Sequence, residues 1–152
     1  MSEEALSNDV SYREAVEDCV AFNVKKLARH VSSVYDHALR PYGLTSGQFM
    51  LLAVLKVEGP CSVKALAEHL SVERTVMSRN VRPLVDDGLL EMAQSTTDRR
   101  YRTISLTEAG SAALARASHG WREANDSMEQ RLGEEGFKDM LVEVKRLDSR
   151  LN

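Results

Sequence analysis

Apolar residues recur at steps of three and four between Tyr12 and Leu39, the spacing of one face of an amphipathic helix. A single helix over this range is more than twice the usual length of about 11–12 residues. Its apolar face therefore needs a further covering surface, and a second copy of the chain is the simplest one. The helix is predicted to end at Arg40-Pro41-Tyr42-Gly43. The apolar positions are Val16, Val20, Val24, Leu27, Val31, Val34 and Ala38.

Three short helices are predicted next. Thr45-Ser46-Gly47-Gln48 has the pattern of a capping box and begins the first, which ends at Glu58-Gly59-Pro60. Ser62 is a suitable N-cap for the second helix. A brief turn at Ser71-Val72 leads to the third, which runs from about Glu73 to Asp87. Two helices joined by so short a turn form a helix-turn-helix.

After Gly88 the hydrophobic period changes to two, as in β-strands. Two alternating segments flank the polar, turn-prone stretch from Gln94 to Arg100, which predicts an antiparallel hairpin with an exposed, charged tip. The alternation runs through Leu90 and Met92, and then through Arg102, Ile104 and Leu106.

Two more helices are predicted beyond the hairpin. Thr107 caps one of roughly 25 residues, a break follows from Gly133 to Gly136, and an amphipathic helix runs from Phe137 to Leu151.

The order of these elements predicts a mainly α fold with a small β-hairpin wing. It is a winged helix-turn-helix flanked by long N- and C-terminal helices. We assign residues 1–152 to a single domain, with the flanking helices at 12–40 and 107–151 and the winged helix-turn-helix at 45–106.

The helix from about Glu73 to Asp87 has the composition of one that reads DNA. A helix fits the major groove, which is about 12 Å wide. Such a helix needs an apolar face, its back, that packs against the core, and a polar, cationic face, its front, that contacts DNA. The predicted back consists of Val76, Val81, Leu84 and Val85, and the predicted front consists of Arg74, Thr75, Ser78, Arg79 and Arg82.

The formal net charge is −3, from 20 basic and 23 acidic residues, which taken alone does not favour nucleic-acid binding. The charges are segregated, however. Three arginines and no acid lie between Arg74 and Pro83, whereas acids are concentrated between Glu3 and Asp18 and in the last helix. At the wing tip Arg99, Arg100 and Arg102 face a single acid, Asp98. This distribution favours contact with phosphate through the centre of the chain.

Five segments occur in an order and spacing typical of one protein family. They are SVKALAEHL from Ser62 to Leu70, Arg74-Thr75-Val76, LVDDGLL from Leu84 to Leu90, Thr97-Asp98-Arg99-Arg100, and ISLTEAG from Ile104 to Gly110. Together they resemble the MarR family of bacterial transcription regulators. The likeness extends to the long first helix, to Leu44-Thr45 and to the two helices after the wing, so it covers nearly the whole chain.

The resemblance implies a homodimer built from the N- and C-terminal helices, so that 12–40 and 107–151 are the dimerisation helices. Each subunit offers one winged helix to a pseudo-palindromic operator, and a small molecule or an oxidant often releases the DNA. The family's Asp-x-Arg of the wing falls on Asp98 and Arg100, where the acid can orient an arginine toward the minor groove. Positions that read bases fall on Arg74, Thr75, Ser78 and Arg79, since arginine can bind guanine in bidentate fashion. Ser62 and Lys64 resemble phosphate contacts.

Two features depart from the family pattern. Pro83 lies inside the reading helix, where it removes an N–H group and is predicted to kink the helix. It also disfavours α-helical backbone geometry at Arg82, the residue before it. Glu91-Met92-Ala93 lacks the basic residues that many relatives carry in the strand before the wing.

Cys19 lies near the expected dimer interface on the first helix. Some MarR-type sensors of organic hydroperoxide carry a reactive cysteine on this helix, held by tyrosines. Tyr35 resembles one such tyrosine, but Cys19 is two residues too far from it and Asn23 occupies the other position. Redox sensing and simple packing both stay open for Cys19, and packing is expected for Cys61.

Four aromatic residues have two interpretations. They line a pocket for a small-molecule effector between the dimer helices and the winged helix, or they belong to the core and the dimer interface. These residues are Phe22, Tyr35, Tyr42 and Trp121.

The sequence has no pattern typical of an enzyme or a metal site. It lacks a glycine-rich phosphate loop and a nucleophile elbow, and its four histidines do not have zinc-ligand spacing, so no cofactor is expected. The first residues lack the features of a signal peptide and no apolar run is long enough to cross a bilayer, so we expect a cytoplasmic protein without a membrane partner.

These observations predict a sequence-specific regulator that binds double-stranded DNA as a homodimer, most simply a repressor that responds to an unidentified small molecule. Two alternatives stay open. One is a thiol-based redox regulator that acts through Cys19, and the other is a winged helix that docks on a protein.

Overall fold

The computed structural model describes residues 12–94 and 102–151. Apart from a break in the first helix and one additional short strand, the helices and strands follow the predicted order. They are α1 (Tyr12–Glu17), α2 (Val20–Leu39), a 3-10 turn (Arg40–Tyr42), α3 (Ser46–Glu58), β1 (Cys61–Ser62), α4 (Val63–His69), α5 (Arg74–Asp86), β2 (Leu90–Gln94), β3 (Arg102–Leu106), α6 (Glu108–Leu132) and α7 (Glu134–Leu151).

The chain divides into two compact units, Met1–Ser33 and Val34–Asn152, and the division falls within α2. In the first unit the prediction of one continuous helix from Tyr12 is wrong. The helix stops after Glu17 and resumes at Val20. The Asn23 side-chain amide donates to the carbonyl oxygens of Glu17, at 2.9 Å, and Cys19, at 3.0 Å. The side chain thereby satisfies carbonyl groups at the end of α1. Such side-chain hydrogen bonds compete with the backbone hydrogen bonds of a continuous helix, and the spacing of apolar residues in the sequence does not reveal them.

The second unit contains the core of the winged helix. Thr45 begins α3 with the predicted capping box, since its hydroxyl accepts from Gln48 N while the Gln48 side chain accepts from Thr45 N. The Asp36 carboxylate also accepts from Ser46 N at 2.6 Å, which ties the end of α2 to the start of α3. The large side chains that are fully buried are Leu39, Leu51, Leu52, Leu66, Met77, Leu84, Leu90 and Ile104.

The strands form an antiparallel sheet in the order β1-β3-β2. The hairpin of β2 and β3 confirms the predicted wing, with Met92 opposite Ile104. The third strand, β1, was not predicted, because two residues are too short to give a period. Its Cys61 pairs with Ile104 and extends the wing toward α4.

Helix α6 has the predicted 25 residues and is capped by Thr107, whose hydroxyl oxygen accepts from Gly110 N at 2.9 Å. It packs closely on its neighbours through two glycines. A Cβ atom at Gly110 would overlap the carbonyl oxygen of Leu89, and one at Gly120 would come within 2.8 Å of the Tyr42 ring. Backbone can approach backbone here only because these positions lack side chains.

Helix α7 begins at Glu134, directly after Gly133, so the predicted break from Gly133 to Gly136 is too long. Gly133 has a φ of 76°, which glycine adopts readily and which turns the chain between the two helices. Within the part of the chain that the structure describes, no helix is both long and apolar enough to span a membrane.

Candidate DNA-binding site

Helix α5 is anchored to the core by Met77, Val81 and Leu84, each at most 2 % exposed. Steps of four and three place these three residues on one face. The prediction that Val76 belongs to this apolar back is wrong, because Val76 is 45 % exposed and its neighbour Met77 occupies the core position. Val85, also predicted for the back, is half-buried against the core.

The predicted DNA contacts of α5 lie on its solvent-exposed surface. Arg74, Thr75, Ser78, Arg79 and Arg82 are all exposed. With 3.6 residues per turn, Thr75, Arg79 and Arg82 lie furthest from the core. Across residues 12–94 and 102–151 no carboxylate lies within ion-pair distance of Arg74, Arg79 or Arg82. Three guanidinium groups are therefore available to an anionic ligand.

The Ser78 hydroxyl donates to the carbonyl oxygen of Arg74 at 2.9 Å. This intrahelical bond uses its proton. In this conformation Ser78 can accept a hydrogen bond from a base or from a neighbouring residue, but it cannot donate one to phosphate.

Pro83 does not break α5, which runs without interruption from Arg74 to Asp86. Asp87 N donates to the Pro83 carbonyl oxygen at 2.9 Å, so the helical hydrogen bond after the proline is kept. Arg82 remains exposed. The bend angle at Pro83 stays a prediction.

Two acids lie beside the arginines of α5 and were missed in the sequence. Asp86 follows Arg82 by four residues and Asp87 is its neighbour, so both lie just beyond the acid-free segment that ends at Pro83. The spacing of four from Arg82, applied beyond the proline, would have placed Asp86 on the same face. A shallow depression of about 670 Å³ is lined by Ser78, Arg79, Arg82, Pro83, Asp86 and Asp87.

Ser62 and Lys64 lie at the start of α4. Ser62 is confirmed as the N-cap, with its hydroxyl oxygen accepting from Ala65 N at 3.1 Å. The Lys64 ammonium lies 3.6 Å from the Glu68 carboxylate, and both side chains are exposed. An exposed pair of this kind is worth at most about 1 kcal/mol, so a phosphate can compete for the lysine.

The wing is described only up to its strands. Arg102 is exposed at the start of β3, and Glu91 of β2 accepts a hydrogen bond from the Ser105 hydroxyl at 3.0 Å. The predicted tip residues Asp98, Arg99 and Arg100 lie outside the described residues.

Three of the four candidate pocket aromatics belong to the second unit. The Tyr35 hydroxyl donates to Asn125 Oδ1 at 2.5 Å, and burial raises the pKa of Tyr35. The Trp121 ring stacks on Phe49 with centroids 6.5 Å apart. Tyr42 is half-buried and packs against the core next to Gly120. The fourth, Phe22, is exposed in the first unit.

The two cysteines differ in environment. Cys19 is exposed at the break between α1 and α2, whereas Cys61 is half-buried in β1. Burial, and next the negative charge of Glu58, raises the pKa of the Cys61 thiol, which agrees with its predicted packing role. Among the described residues, no group of histidines, cysteines and acids is arranged to hold a metal ion.

The sequence profile of the MarR family matches residues 44–101. The crystal structure of the M. tuberculosis transcriptional regulator MosR in complex with DNA is 32 % identical, with a TM-score of 0.76, over 88 % of this chain and 96 % of that one.

Two further relatives extend the comparison. A mutant MarR from E. coli complexed with operator DNA has the same fold, with a TM-score of 0.79 at 16 % identity, over 91 % of this chain and 99 % of that one. The HTH-type transcriptional regulator YwoH of Bacillus subtilis (strain 168) is 28 % identical over 85 residues, which span 56 % of this chain and 61 % of that relative. These relatives are transcriptional regulators, which confirms the prediction that the chain is not an enzyme.

Proposed function

The chain belongs to the MarR family of DNA-binding transcriptional regulators, and we propose that it represses transcription by binding an operator as a homodimer. The main support for this proposal is the set of exposed arginines on α5. Arg74, Arg79 and Arg82 project from a helix fixed to the core by Met77 and Leu84, and no described carboxylate neutralises them. A rigid helix with free guanidinium groups fits the major groove.

Exposed apolar faces support the homodimer. Helix α7 has no buried residue in the described chain, yet Leu141, Val144 and Leu147 follow one face and are 45–50 % exposed. In the first unit Val20 and Val24 of α2 are more than half exposed. A second copy of the chain packed on these helices would remove the apolar side chains from water, which is favourable.

A homodimer of this kind presents two α5 helices related by a twofold axis. We propose that the dimer fixes their separation near one turn of DNA, about 34 Å, and so matches a pseudo-palindromic operator. Arg100 at the wing tip is proposed to enter the adjacent minor groove. Occupancy of the operator then excludes the transcription machinery, which is repression by mutual exclusion.

An effector is proposed to act through the dimer geometry. A small molecule that changes the separation of the two α5 helices lowers operator affinity, and DNA lowers the affinity for that molecule by the same factor. The candidate contacts are the aromatic side chains of Tyr35, which donates to Asn125, of Tyr42 and of Trp121. Trp121 is the single tryptophan, so its fluorescence reports on this region directly.

The proposal is tested by DNA capture. The purified protein is incubated with fragments of its own genome, and the bound fragments are sequenced. We expect a few sites with twofold-symmetric half-sites. Arg79→Ala and Arg100→Ala should each lose this enrichment while remaining folded and dimeric. Arg131→Ala, which removes an exposed arginine from the last turn of α6, should retain it.

Full DNA binding by both Arg79→Ala and Arg100→Ala would contradict the proposal. If the wild-type protein retained no DNA at all, the alternative of a winged helix that docks on another protein would gain support.

A second candidate function is a thiol-based redox switch, favoured by the exposure of Cys19 at a helix break. Mild organic hydroperoxide is then expected to lower operator affinity in the wild-type protein and to leave Cys19→Ser unaffected. An equal peroxide response in the two proteins would reject a role for this thiol.

A further inference from the structure

Val76 is an apolar side chain on the surface of α5 without a place in the core. It is 45 % exposed, while Met77 fills the core position beside it at 1 % exposure. Its location in the first turn of α5 is significant, because the N-terminal residues of a recognition helix are the ones that contact base edges.

The helical spacing places Val76 beside the predicted base readers. Arg79 follows it by three residues and Pro83 by seven, so the three lie along one side of the helix. Arg79 and Pro83 are also exposed. Val76 is therefore an exposed apolar side chain next to the row formed by Thr75, Arg79 and Arg82.

The chemistry of the groove limits what a valine can contact there. Most groups on the major-groove edges of the base pairs are hydrogen-bond donors or acceptors, and the C5-methyl group of thymine is the apolar exception. A valine pressed on a donor or acceptor would exclude water without replacing its hydrogen bond, which is unfavourable. Contact with a methyl group has no such penalty, and the stiff β-branched side chain loses little freedom.

From this position and this chemistry we infer that Val76 contacts the C5-methyl group of a thymine next to the base pair that Arg79 reads. It thereby selects thymine over cytosine at that place in each half-site. The inference rests on the proposed function, since it requires that α5 enters the major groove.

The test removes single methyl groups from the DNA. A duplex is first enriched from a random pool with the wild-type protein. Each thymidine of the half-site is then replaced in turn by deoxyuridine, which differs only by the methyl group. We expect one replacement to weaken wild-type binding about fourfold per half-site. This factor corresponds to the free energy gained by burying one methyl or methylene group.

The matched variants are Val76→Ala and Val57→Ala. Val57 is a valine of α3 that is 80 % exposed, so its replacement makes the same chemical change away from α5. Val57→Ala should lose as much affinity as the wild type when that one thymidine is replaced by deoxyuridine. Val76→Ala should bind the two duplexes equally, and unchanged thermal unfolding would show that its fold is intact.

The inference is overturned if no deoxyuridine replacement weakens wild-type binding, if the enriched half-site contains no thymine, or if Val76→Ala remains as sensitive as the wild type. In each of these cases an enriched duplex still supports the proposed function. Failure to enrich any duplex contradicts the proposed function and, with it, the role of Val76.

Discussion

Residues of opposite charge share the surface of α5 that we propose for DNA binding. Arg79 and Arg82 lie beside Asp86 and Asp87 in one depression, so the positive potential is confined to the first three turns of the helix. An acid next to a phosphate-binding surface weakens general attraction to DNA and leaves a greater share of the affinity to contacts with bases.

Asp86→Asn is therefore expected to increase affinity for non-specific duplex DNA about threefold at low salt, because removing one repulsive charge near the surface is worth less than about 1 kcal/mol. The gain should shrink as salt screens the charge. Fluorescence anisotropy with a labelled duplex measures it. Asp126→Asn, at an exposed position of α6, is the control and should bind as the wild type does.

Cys61 leads to a prediction about pH. Burial and, next, the charge of Glu58 raise the pKa of its thiol, so the reactive thiolate forms at higher pH than it does in a free cysteine. In a Cys19→Ser background, alkylation of Cys61 by iodoacetamide should be slow at pH 7 and accelerate only at higher pH than for a free thiol. Mass spectrometry follows the reaction. An alkylation midpoint below that of free cysteine would contradict the prediction.

At the scale of elements, α6 is held against the start of the wing by a close backbone approach. Gly110 lies where a Cβ atom would overlap the Leu89 carbonyl oxygen and come within 2.8 Å of Leu106. The neighbouring Thr107 hydroxyl donates to the Gly88 carbonyl oxygen at 2.7 Å, which fixes the same junction. Helix α6 is thereby locked to the hairpin whose tip is proposed to contact DNA.

Gly110→Ala is expected to lower the free energy of unfolding by about 1–3 kcal/mol, the usual effect of overpacking, although alanine is the better helix former. Gly47→Ala is the matched control, because Gly47 also lies in a helix but has no neighbour within 4 Å of its Cβ position. That variant should gain about 0.5–1 kcal/mol. Urea denaturation measures both changes, and equal effects of the two substitutions would contradict this account of the junction.

Helices and strands with a sustained periodic pattern of apolar residues, or with a clear N-cap, could be predicted from the sequence. Features that depend on tertiary contacts could not. Thr45, Ser62 and Thr107 were each identified as caps because their spacing to the following helix is local information. Strand β1 is too short to show an alternation of apolar and polar residues. The break after Glu17 is accompanied by hydrogen bonds from the Asn23 side chain, which the spacing of apolar residues does not reveal. At Val76 and Met77 both residues are apolar, so only the packing of the core decides which one is buried.

For the molecule as a whole, the apolar faces of the terminal helices are the main feature that one copy leaves uncovered. Phe137, Leu141, Val144 and Leu147 recur at steps of four and three along α7. Val142, 65 % exposed, lies on the other side of this helix and offers a comparison within the same element.

Leu147→Glu is expected to convert the homodimer into a monomer and to weaken operator binding at least tenfold, because a charge buried in an apolar interface is strongly unfavourable. Val142→Glu should remain dimeric. Sedimentation equilibrium at micromolar concentration distinguishes the two states. A wild-type protein that is monomeric under these conditions would refute the dimer directly.

The salt dependence of DNA binding is the most direct test of whether α5 contacts the phosphate backbone and the bases of DNA. With an enriched duplex, the logarithm of the wild-type association constant should fall linearly with the logarithm of the salt concentration, as counterions are released from phosphate. Replacing Arg74, Arg79 and Arg82 by alanine together should weaken binding strongly and make the slope less negative. A slope near zero for the wild type, or the same affinity and slope for the triple variant, would contradict the central claim.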